Sequence, residues 1–243
     1  LASQAAIALT NRQLVQQLET LFESFIKLIN LAIDEKSPYT GGHCQRVPEL
    51  TMMLADAVDA TSEGPLADFK LTDKDRYELR IAALMHDCGK VTTPVHVVDK
   101  STKLQTIYDR IQTIDTRFEV VRRDAEIALW RSVAEGENKA VAQVRYKEIS
   151  RKIDVDREIL HRANIGAEKM SDDDIAAVQA IASRYSWCNE GGETVDFLSA
   201  NELENLTIRA GTLTQAERQT INHHIVATIK MLEQLPWPRH LKN

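Results

Sequence analysis

Leu84-Met85-His86-Asp87-Cys88-Gly89-Lys90 ends an apolar run with helical spacing. An adjacent histidine and aspartate can serve two metal ions, because the imidazole binds one ion while the carboxylate bridges to a second. Gly89 is predicted to end the helix in a left-handed conformation, which costs glycine nothing sterically. Lys90 lies one turn beyond His86 and is placed to meet an anionic substrate. The stretch predicts a metal site if other parts of the chain supply more ligands.

Composition limits the possible fold classes and functions. The chain has 243 residues, of which 43% are hydrophobic and 27% charged, with only nine glycines and six prolines. Abundant Ala, Leu, Glu, Gln and Arg predict an all-α fold. A net charge of -6 argues against DNA binding but allows a small phosphorylated ligand. Three cysteines fit a reducing cytoplasm, and neither a signal peptide nor an apolar run of membrane-span length is present.

The N-terminal residues 1–34 are predicted to form a linker helix that resembles a coiled coil. Apolar residues recur there every three or four positions, over nearly three heptads. This seam consists of Leu14, Leu18, Leu21, Phe25, Leu28 and Ala32. One interpretation is an amphipathic helix that lies on its own domain. The other, which we favour, is a parallel helix pair in a homodimer that carries a signal from an upstream sensor.

A second histidine follows a helix-breaking loop. The sequence from Ser37 to Gly42 predicts this loop, and His43 then begins a helix that runs to about Ala60. Arg46 lies one turn later and can pair with a carboxylate or phosphate. The predicted inward face of this helix is Val47, Leu50, Leu54 and Val58. Further on, Thr72 is predicted to cap the helix that leads to His86, with Asp73 and Asp75 in its first turn.

Two long helices are predicted between Leu104 and Ala163, joined by a turn at residues 135–138. Matching apolar stripes and a short connection indicate an antiparallel hairpin, which we interpret as a solvated arm without catalytic residues. One stripe is Ile107, Ile111, Ile114, Phe118, Val121, Ala125 and Ala128. The other is Val141, Val144, Ile149, Ile153 and Leu160. His96 is predicted to lie in a loop and His161 on the surface.

The last part of the chain supplies another histidine. A helix is predicted over Ser171–Tyr185 and a loop over Trp187–Ser199. Thr214 and Glu217 then form a T-x-x-E capping box that begins a helix carrying His223 and His224. The predicted buried face of this helix is Ile221, Ile225, Thr228 and Leu232, and His224 borders it. Because neighbouring helical residues are rotated by about 100°, His223 and His224 are not expected to bind the same ion.

Four candidate ligands therefore lie on separate helices: His43, His86, Asp87 and His224. Histidine and carboxylate side chains on facing helices form transition-metal sites in helical bundles. Two metal ions about 3.5–4 Å apart are a common device for hydrolysing a phosphodiester. Spacing alone leaves a metal site and ordinary structural roles about equally open.

Three stretches resemble the HD-GYP branch of the HD-type metal-dependent phosphohydrolases, which are bacterial cyclic di-GMP phosphodiesterases. They are SPYTGGHCQRV from Ser37, ALMHDCGKVTTP from Ala83, and GTLTQAERQTINHHIVATIKMLEQLPWP from Gly211. The resemblance covers residues 34–238. It implies an HD-type helical bundle over residues 35–243, with the hairpin at about 104–163 as an insertion found in some members.

The resemblance also implies a function for the candidate residues. His43, His86, Asp87 and His224 would bind metal, with His86, Asp87 and Lys90 catalytic and Lys90 contacting a substrate phosphate; Arg46 is a further candidate for substrate binding. The cofactor would be two divalent ions, iron or manganese first, with zinc, nickel or magnesium as alternatives. The family reaction hydrolyses cyclic di-GMP to pGpG and GMP, and a preference for cyclic GMP-AMP stays open.

Two departures from the HD-GYP pattern qualify this expectation. The chain ends at Asn243, before the family's His-His-Glu motif, a later Asp ligand and the GYP loop, so we expect less than full activity from these residues alone. Tyr39 stands where some relatives have a third-metal Glu, which predicts two ions at most. The alternatives are a non-catalytic regulator that binds nucleotide or a protein, and an HD hydrolase of another nucleotide. Cys88 is expected to be a small packing residue.

Overall fold

The computed structural model describes residues 2–36, 42–166, 169–189, 191–235 and 237. The described helices are α1 Ala2–Lys36, α2 His43–Asp59, α3 Asp73–Met85, a 3₁₀ helix Cys88–Thr92, α4 Val95–Val98, α5 Ile111–Ala134, α6 Lys139–Asn164, α7 Asp172–Arg184, α8 Ala200–Leu206 and α9 Gln215–Glu233. The only strands in these ranges are β1 Ser186–Cys188 and β2 Thr194–Asp196. The predicted all-α class is confirmed. No described helix is long and apolar enough to cross a lipid bilayer.

The chain divides into two compact units. The first unit comprises residues 1–99 and 219–243, and the second comprises residues 100–218. All the predicted metal ligands belong to the first unit, whereas the predicted hairpin belongs to the second. The predicted domain boundary between residues 34 and 35 stays a prediction.

Helix α1 packs on the first unit through a stripe different from the predicted seam. Ile26, Asn30 and Ile33 are buried. The leucines and phenylalanine of the seam, Leu14 to Leu28, are 54–67% exposed. The two stripes lie on different faces of one helix, so α1 can contact its own unit and still present an apolar seam outward.

Helix α2 begins at His43 as predicted, but its inward face differs from the prediction. Leu50 and Leu54 are 57% and 69% exposed, and the buried residues are Cys44, Pro48 and Ala55. The buried stripe is displaced by one position, which rotates it by about 100°. Small side chains on this stripe allow α2 to pack closely on α1 and α3, whereas the longer leucines project outward.

Helix α3 has the predicted cap. The Thr72 hydroxyl accepts a hydrogen bond from the Asp75 N–H, and the Asp75 carboxylate accepts one from the Thr72 N–H. This reciprocal arrangement satisfies two N–H groups that the first turn leaves without helical partners. The buried end of the helix, Ile81 to Met85, then leads directly to His86.

The antiparallel hairpin is formed by α5 and α6. Arg122 of α5 pairs with Asp154 of α6, whereas Asp115, earlier in α5, pairs with His161, later in α6. A residue later in α5 therefore pairs with a residue earlier in α6, which shows that the two helices run antiparallel. His161 is half-exposed, and its Nε2 lies within hydrogen-bonding distance of Asp115 Oδ1, at 2.9 Å.

The hairpin differs from the prediction at both ends. Helix α5 begins at Ile111 rather than at Leu104, and Ile107 is 98% exposed. Leu104 is fully buried in the irregular segment before α5, so its apolar side chain does not mark a helical stripe. Val141 and Val144, near the turn, are each 57% exposed. Leu129 and Ala142, also near the turn, are 5% and 0% exposed, so the two helices stay packed together there while the predicted valine stripe faces outward.

The core of the second unit is built around Phe118, Tyr185 and Phe197. Their ring centroids lie 4.5–5.7 Å apart. Helix α7, capped by Ser171, buries Val178 against this core, as the predicted stripe required. The predicted loop at 187–199 is wrong in part, because β1 and β2 form a short antiparallel hairpin there. Strands of three residues are too short to show a period of two in sequence.

Glu202 and Arg117 form an ion pair inside the second unit. Glu202 is 3% exposed, and its carboxylate accepts hydrogen bonds from Arg117 Nη1 at 2.7 Å and from the Ser199 N–H at 2.8 Å. Burial by itself would raise the pKa of Glu202, but the Arg117 hydrogen bond and charge, with the Ser199 N–H, outweigh it. The pKa of Glu202 is therefore lower than its ordinary value.

Acid is expected to destabilise the second unit through Glu202. Its pKa is lower in the folded state than the value of about 4.3 in the unfolded state. The pair therefore contributes its full stability above about pH 4.3 and loses it as the pH falls through the folded pKa. Thermal melts from about pH 7 to about pH 3 should show a smaller acid-induced loss in Glu202→Gln than in wild type. The exposed neighbour Glu204→Gln is the control, and identical profiles for all three proteins would contradict the assignment.

Candidate metal centre

A buried carboxylate lies at the centre of the predicted site. Asp87 follows the end of α3 and is 6% exposed. Its Oδ2 lies 2.8 Å from His86 Nε2, 3.2 Å from His43 Nε2 and 2.7 Å from Lys90 Nζ. The structure thus brings together the ends of α2 and α3 and the 3₁₀ helix, with two imidazoles and an ammonium directed at one carboxylate oxygen.

His224 of α9 reaches the other oxygen of the same carboxylate. Its Nε2 lies 3.6 Å from Asp87 Oδ1. His223 is exposed, which agrees with the rotation expected between neighbouring helical positions. All four predicted ligands, His43, His86, Asp87 and His224, therefore lie in one place, although two helices, α2 and α9, and the turn after α3 supply them. The prediction that they lie on separate helices is wrong for His86 and Asp87, which share that turn.

Hydrogen bonds to backbone fix the orientation of two of the imidazoles. His86 Nδ1 donates to the Ala83 carbonyl at 2.7 Å, and His224 Nδ1 donates to the Ile221 carbonyl. A carbonyl oxygen only accepts, so each Nδ1 carries a proton in this arrangement, and Nε2 is the ring atom left to bind a metal ion. Metal-binding histidines are commonly oriented in this way by a partner on the second ring nitrogen.

The charges around Asp87 keep its carboxylate ionised. Burial on its own would raise the pKa of Asp87, but the hydrogen bond and charge of Lys90, with the nearby His86 and His224, hold the pKa below its ordinary value. A carboxylate that stays negative in a buried position requires positive charge beside it. Here Lys90 supplies that charge, and a bound cation would supply more.

The donor set fits a divalent transition metal. One ligand atom from each of His43, His86 and Asp87 lies within 4.8 Å of the others, and two nitrogens with one carboxylate oxygen suit iron, manganese, nickel or zinc. The His43 and His86 side chains are 38% and 34% exposed, so an ion can reach them from solvent. The cluster is compatible with metal binding, and its geometry does not distinguish among these metals.

Glycine is needed at position 89 for a reason different from the predicted one. It is not in the left-handed region, and it lies inside the 3₁₀ helix Cys88–Thr92. A Cβ at this position would stand 2.1 Å from the His224 carbonyl oxygen and 2.5 Å from the Thr228 backbone nitrogen. Glycine is therefore required because α9 passes directly over it, and this contact sets the distance between His224 and Asp87.

Thr228 is a residue of the site that sequence reasoning did not recognise. It was expected only to contribute to the buried face of α9, and it is indeed buried. Its hydroxyl also accepts a hydrogen bond from the Gly89 N–H at 2.9 Å, one turn beyond His224. The signal in the sequence was a single hydroxyl on an otherwise apolar stripe. Ile225, by contrast, was predicted to be buried on that stripe and is 54% exposed.

Two residues near the end of α1 also hold the site and were not predicted. Asp34 Oδ2 accepts a hydrogen bond from the Gly42 N–H at 3.1 Å, which anchors the residue that precedes His43. Lys36 Nζ donates to the backbone carbonyls of Lys90 and Val91. Helix α1 is therefore connected by hydrogen bonds to the residue before His43 and to the 3₁₀ helix after Asp87.

The remaining predicted residues are placed as follows. Arg46 is exposed on the first turn of α2, and its guanidinium passes beside Gly42. Cys88 is 1% exposed, and burial raises the pKa of its thiol, which suits a packing role. His96 is exposed, in the short helix α4 rather than in a loop. Tyr39, the position of the expected third-metal ligand, lies outside the described residues.

Residues 40–163 match the HD domain family, and this range is just over half of the chain. It includes His43, His86, Asp87 and Lys90. The chain belongs to the HD domain family. The match does not distinguish the branches of the family, so the assignment to the HD-GYP branch belongs to the proposal below.

One curated relative matches part of this chain. The chain is 37% identical over 86 residues to "3'3'-cGAMP-specific phosphodiesterase 3" of Vibrio cholerae serotype O1 (strain ATCC 39315 / El Tor Inaba N16961). The aligned part is 35% of this chain and 16% of that protein, so the chain spans less than a fifth of its relative's length. The search of solved structures gave no match.

Proposed function

We propose that this HD domain is the catalytic module of an HD-GYP-type phosphodiesterase that hydrolyses a cyclic dinucleotide with two divalent metal ions. The observation that carries the proposal is the convergence of His43, His86 and His224 on the carboxylate of Asp87, with Lys90 beside it. The relative's activity on a cyclic dinucleotide supports the substrate class. Bound divalent ions would activate a water molecule and neutralise charge that develops on the phosphate.

The protein residues would position the reacting groups. Asp87 would hold the ions together with His43, His86 and His224, and each of its two oxygens already faces at least one imidazole. The backbone bonds at His86 and His224 hold both rings in place before substrate arrives, so little reorganisation is needed at the moment of reaction.

Lys90 would bind a substrate phosphate. Its ammonium lies 2.7 Å from Asp87 Oδ2. Bound metal ions would balance the negative charge of Asp87, so the attraction between Asp87 and Lys90 would become weaker. Lys90 would then turn towards a phosphate oxygen and stabilise its negative charge. Arg46 is the second candidate for this role, because it is exposed one turn after His43.

The seam on α1 supports a regulatory arrangement. Its exposed apolar side chains fit a homodimer in the cytoplasm in which the paired helices carry a signal from an upstream sensor. The hydrogen bonds from Asp34 and Lys36 would transmit a movement of α1 to the segments that carry His43 and Asp87. A change in the helix pair would thereby alter the metal site.

Two substrates are proposed within this class. Cyclic di-GMP follows from the resemblance to the HD-GYP branch, and 3'3'-cGAMP is the second candidate because the relative's name states that specificity. No described residue of the site distinguishes the two bases. A direct comparison of the two dinucleotides decides between them.

Turnover of a cyclic dinucleotide tests the proposal. The natural full-length protein and this chain would be loaded without oxygen with iron or manganese and incubated with each dinucleotide, and the products would be separated by chromatography. We expect a linear dinucleotide or mononucleotides, with the rate lowered by roughly 10²–10³-fold in His86→Ala. His96→Ala, an exposed histidine outside the cluster, is the matched control. No hydrolysis of either dinucleotide by the metal-loaded full-length protein would overturn the proposal and favour a non-catalytic regulator.

A further inference from the structure

A cavity lined by other residues than the metal cluster lies within the first unit. It is a partly open cavity with a volume of about 790 Å³, lined by single faces of α1, α2 and α3. Helix α1 contributes Lys27, Asn30, Leu31 and Asp34, which follow the i, i+3, i+4, i+7 spacing of one face. None of the metal-cluster residues lines this cavity in the part of the chain that the structure describes. The volume lies within the usual range for a small-molecule site.

Asn30 is the first sign that this cavity binds a ligand. The residue is 5% exposed, and its amide Nδ2 makes no hydrogen bond with any described residue. A buried donor without a partner is unfavourable, and an apolar side chain of similar size would avoid this cost. The amide would be satisfied by a ligand that brings a hydrogen-bond acceptor into the cavity.

Asp34 lies one helical turn beyond Asn30 on the same wall. Its Oδ2 accepts the Gly42 N–H, and a carboxylate can accept about four hydrogen bonds in all. The wall therefore offers an amide donor next to a carboxylate acceptor. Guanine matches this pair, because its O6 accepts a hydrogen bond while the adjacent N1–H and N2–H groups donate to a carboxylate. Adenine has an acceptor at N1 where guanine has an N–H donor, so it matches the carboxylate less well.

The rest of the cavity suits the other parts of a nucleotide. Leu31, Met52 and Leu84 provide apolar surface for the faces of a planar base. Lys27 and Arg80 are two cations at the lining, and Glu49 is its second carboxylate beside Asp34, so a ligand with one phosphate group is favoured over a ligand with several. We propose that this cavity is a binding site for a guanine mononucleotide, separate from the metal centre.

Occupation of the cavity would reach the metal centre through two short paths. Asp34 holds the residue before His43, and Cys44, the residue after it, lines the cavity. A ligand that engages Asp34 therefore acts on both neighbours of His43. Binding of GMP in this cavity does not require phosphodiesterase activity, so it can be tested independently of the proposed function.

Calorimetric titration of the whole chain with GMP tests the site. We expect Asn30→Leu to weaken GMP binding by at least tenfold and to raise the melting temperature of the ligand-free protein, because the unpaired buried amide is removed. Asn11→Leu makes the same replacement at an exposed position of α1 and should change neither value. Met52→Trp, which fills the cavity, should also weaken binding.

Two further titrations distinguish this cavity from the metal centre and from a general nucleotide site. GMP affinity should be unchanged in His86→Ala, whereas binding of a reaction product at the metals would be lost there. AMP should bind at least tenfold more weakly than GMP. Equal affinity for wild type and Asn30→Leu, loss of binding in His86→Ala, or equal binding of AMP would each overturn the assignment.

Discussion

Replacing Asp87 by asparagine is expected to lower the affinity for Mn²⁺ by roughly 100-fold or more. The carboxylate contacts His43, His86 and Lys90 through one oxygen and lies near His224 through the other. Asparagine keeps the shape but removes the negative charge and replaces one acceptor by a donor. That donor would face either the Lys90 ammonium or an imidazole nitrogen, and the site would lose the group that balances its positive charge.

The same substitution separates metal binding from folding. Loss of the ion pair also leaves Lys90 partly buried without its carboxylate, so we expect the ligand-free protein to be destabilised by about 1–3 kcal/mol. Asp73→Asn in the exposed first turn of α3 is the control, and its Mn²⁺ affinity should equal that of wild type. Mn²⁺ affinity is read from the loss of the free-ion signal in electron paramagnetic resonance. A wild-type affinity in Asp87→Asn would show that the ion binds elsewhere.

Gly89→Ala is expected to have the second large effect. The new Cβ would stand 2.1 Å from the His224 carbonyl oxygen and 2.5 Å from the Thr228 nitrogen, and both atoms belong to the backbone of α9. Since a backbone cannot rotate away as a side chain can, α9 must move outward and take His224 with it. We expect a loss of about 1–3 kcal/mol in stability from overpacking, together with a fall in Mn²⁺ affinity of about tenfold or more.

Two variants complete this test. Gly191→Ala adds the same methyl group where the nearest atom is the Asn189 side-chain oxygen at 3.4 Å, and it should change Mn²⁺ affinity little. Thr228→Val removes the hydroxyl that accepts the Gly89 N–H but adds no bulk. It should lower the free energy of unfolding by about 1 kcal/mol without moving α9. Unchanged metal affinity and melting temperature in Gly89→Ala would contradict the role of this close contact.

The ligand set could be predicted because its signals are local and chemical. His86 and Asp87 are adjacent in sequence, and His43 and His224 lie in stretches with recognisable motifs. The caps at Thr72 and Thr214 were equally accessible, since a capping box depends on residues only three positions apart. The structure shows that these side chains converge, whereas their role as ligands stays a prediction.

Which face of each helix is buried was harder to predict than the ligand set. Leu50, Leu54 and Ile225 are exposed although each fits an apolar stripe. Which stripe is buried depends on how closely two helices approach, and small residues such as Cys44 and Gly89 decide that distance. Hydrophobicity ranks a leucine above a cysteine, so the sequence pattern alone selects the wrong side of the helix.

Contacts between distant segments were also inaccessible from sequence. Thr228 meets Gly89 across 139 positions, and Lys36 meets Val91 across 55. No periodic pattern links such residues, because each contact depends on the packing of separate elements. These contacts determine how firmly the ligands are held, which is the property on which the proposed chemistry depends.

The most direct test of the central claim is anomalous diffraction from crystals of this chain grown with Mn²⁺. The account predicts anomalous density at the Asp87 carboxylate, with the Nε2 atoms of His43, His86 and His224 at bonding distance, about 2.1 Å for a ring nitrogen. Two peaks about 3.5–4 Å apart would match a pair of ions bridged by Asp87. Mn²⁺ bound only at other positions, with this cluster empty, would contradict the assignment of the metal centre.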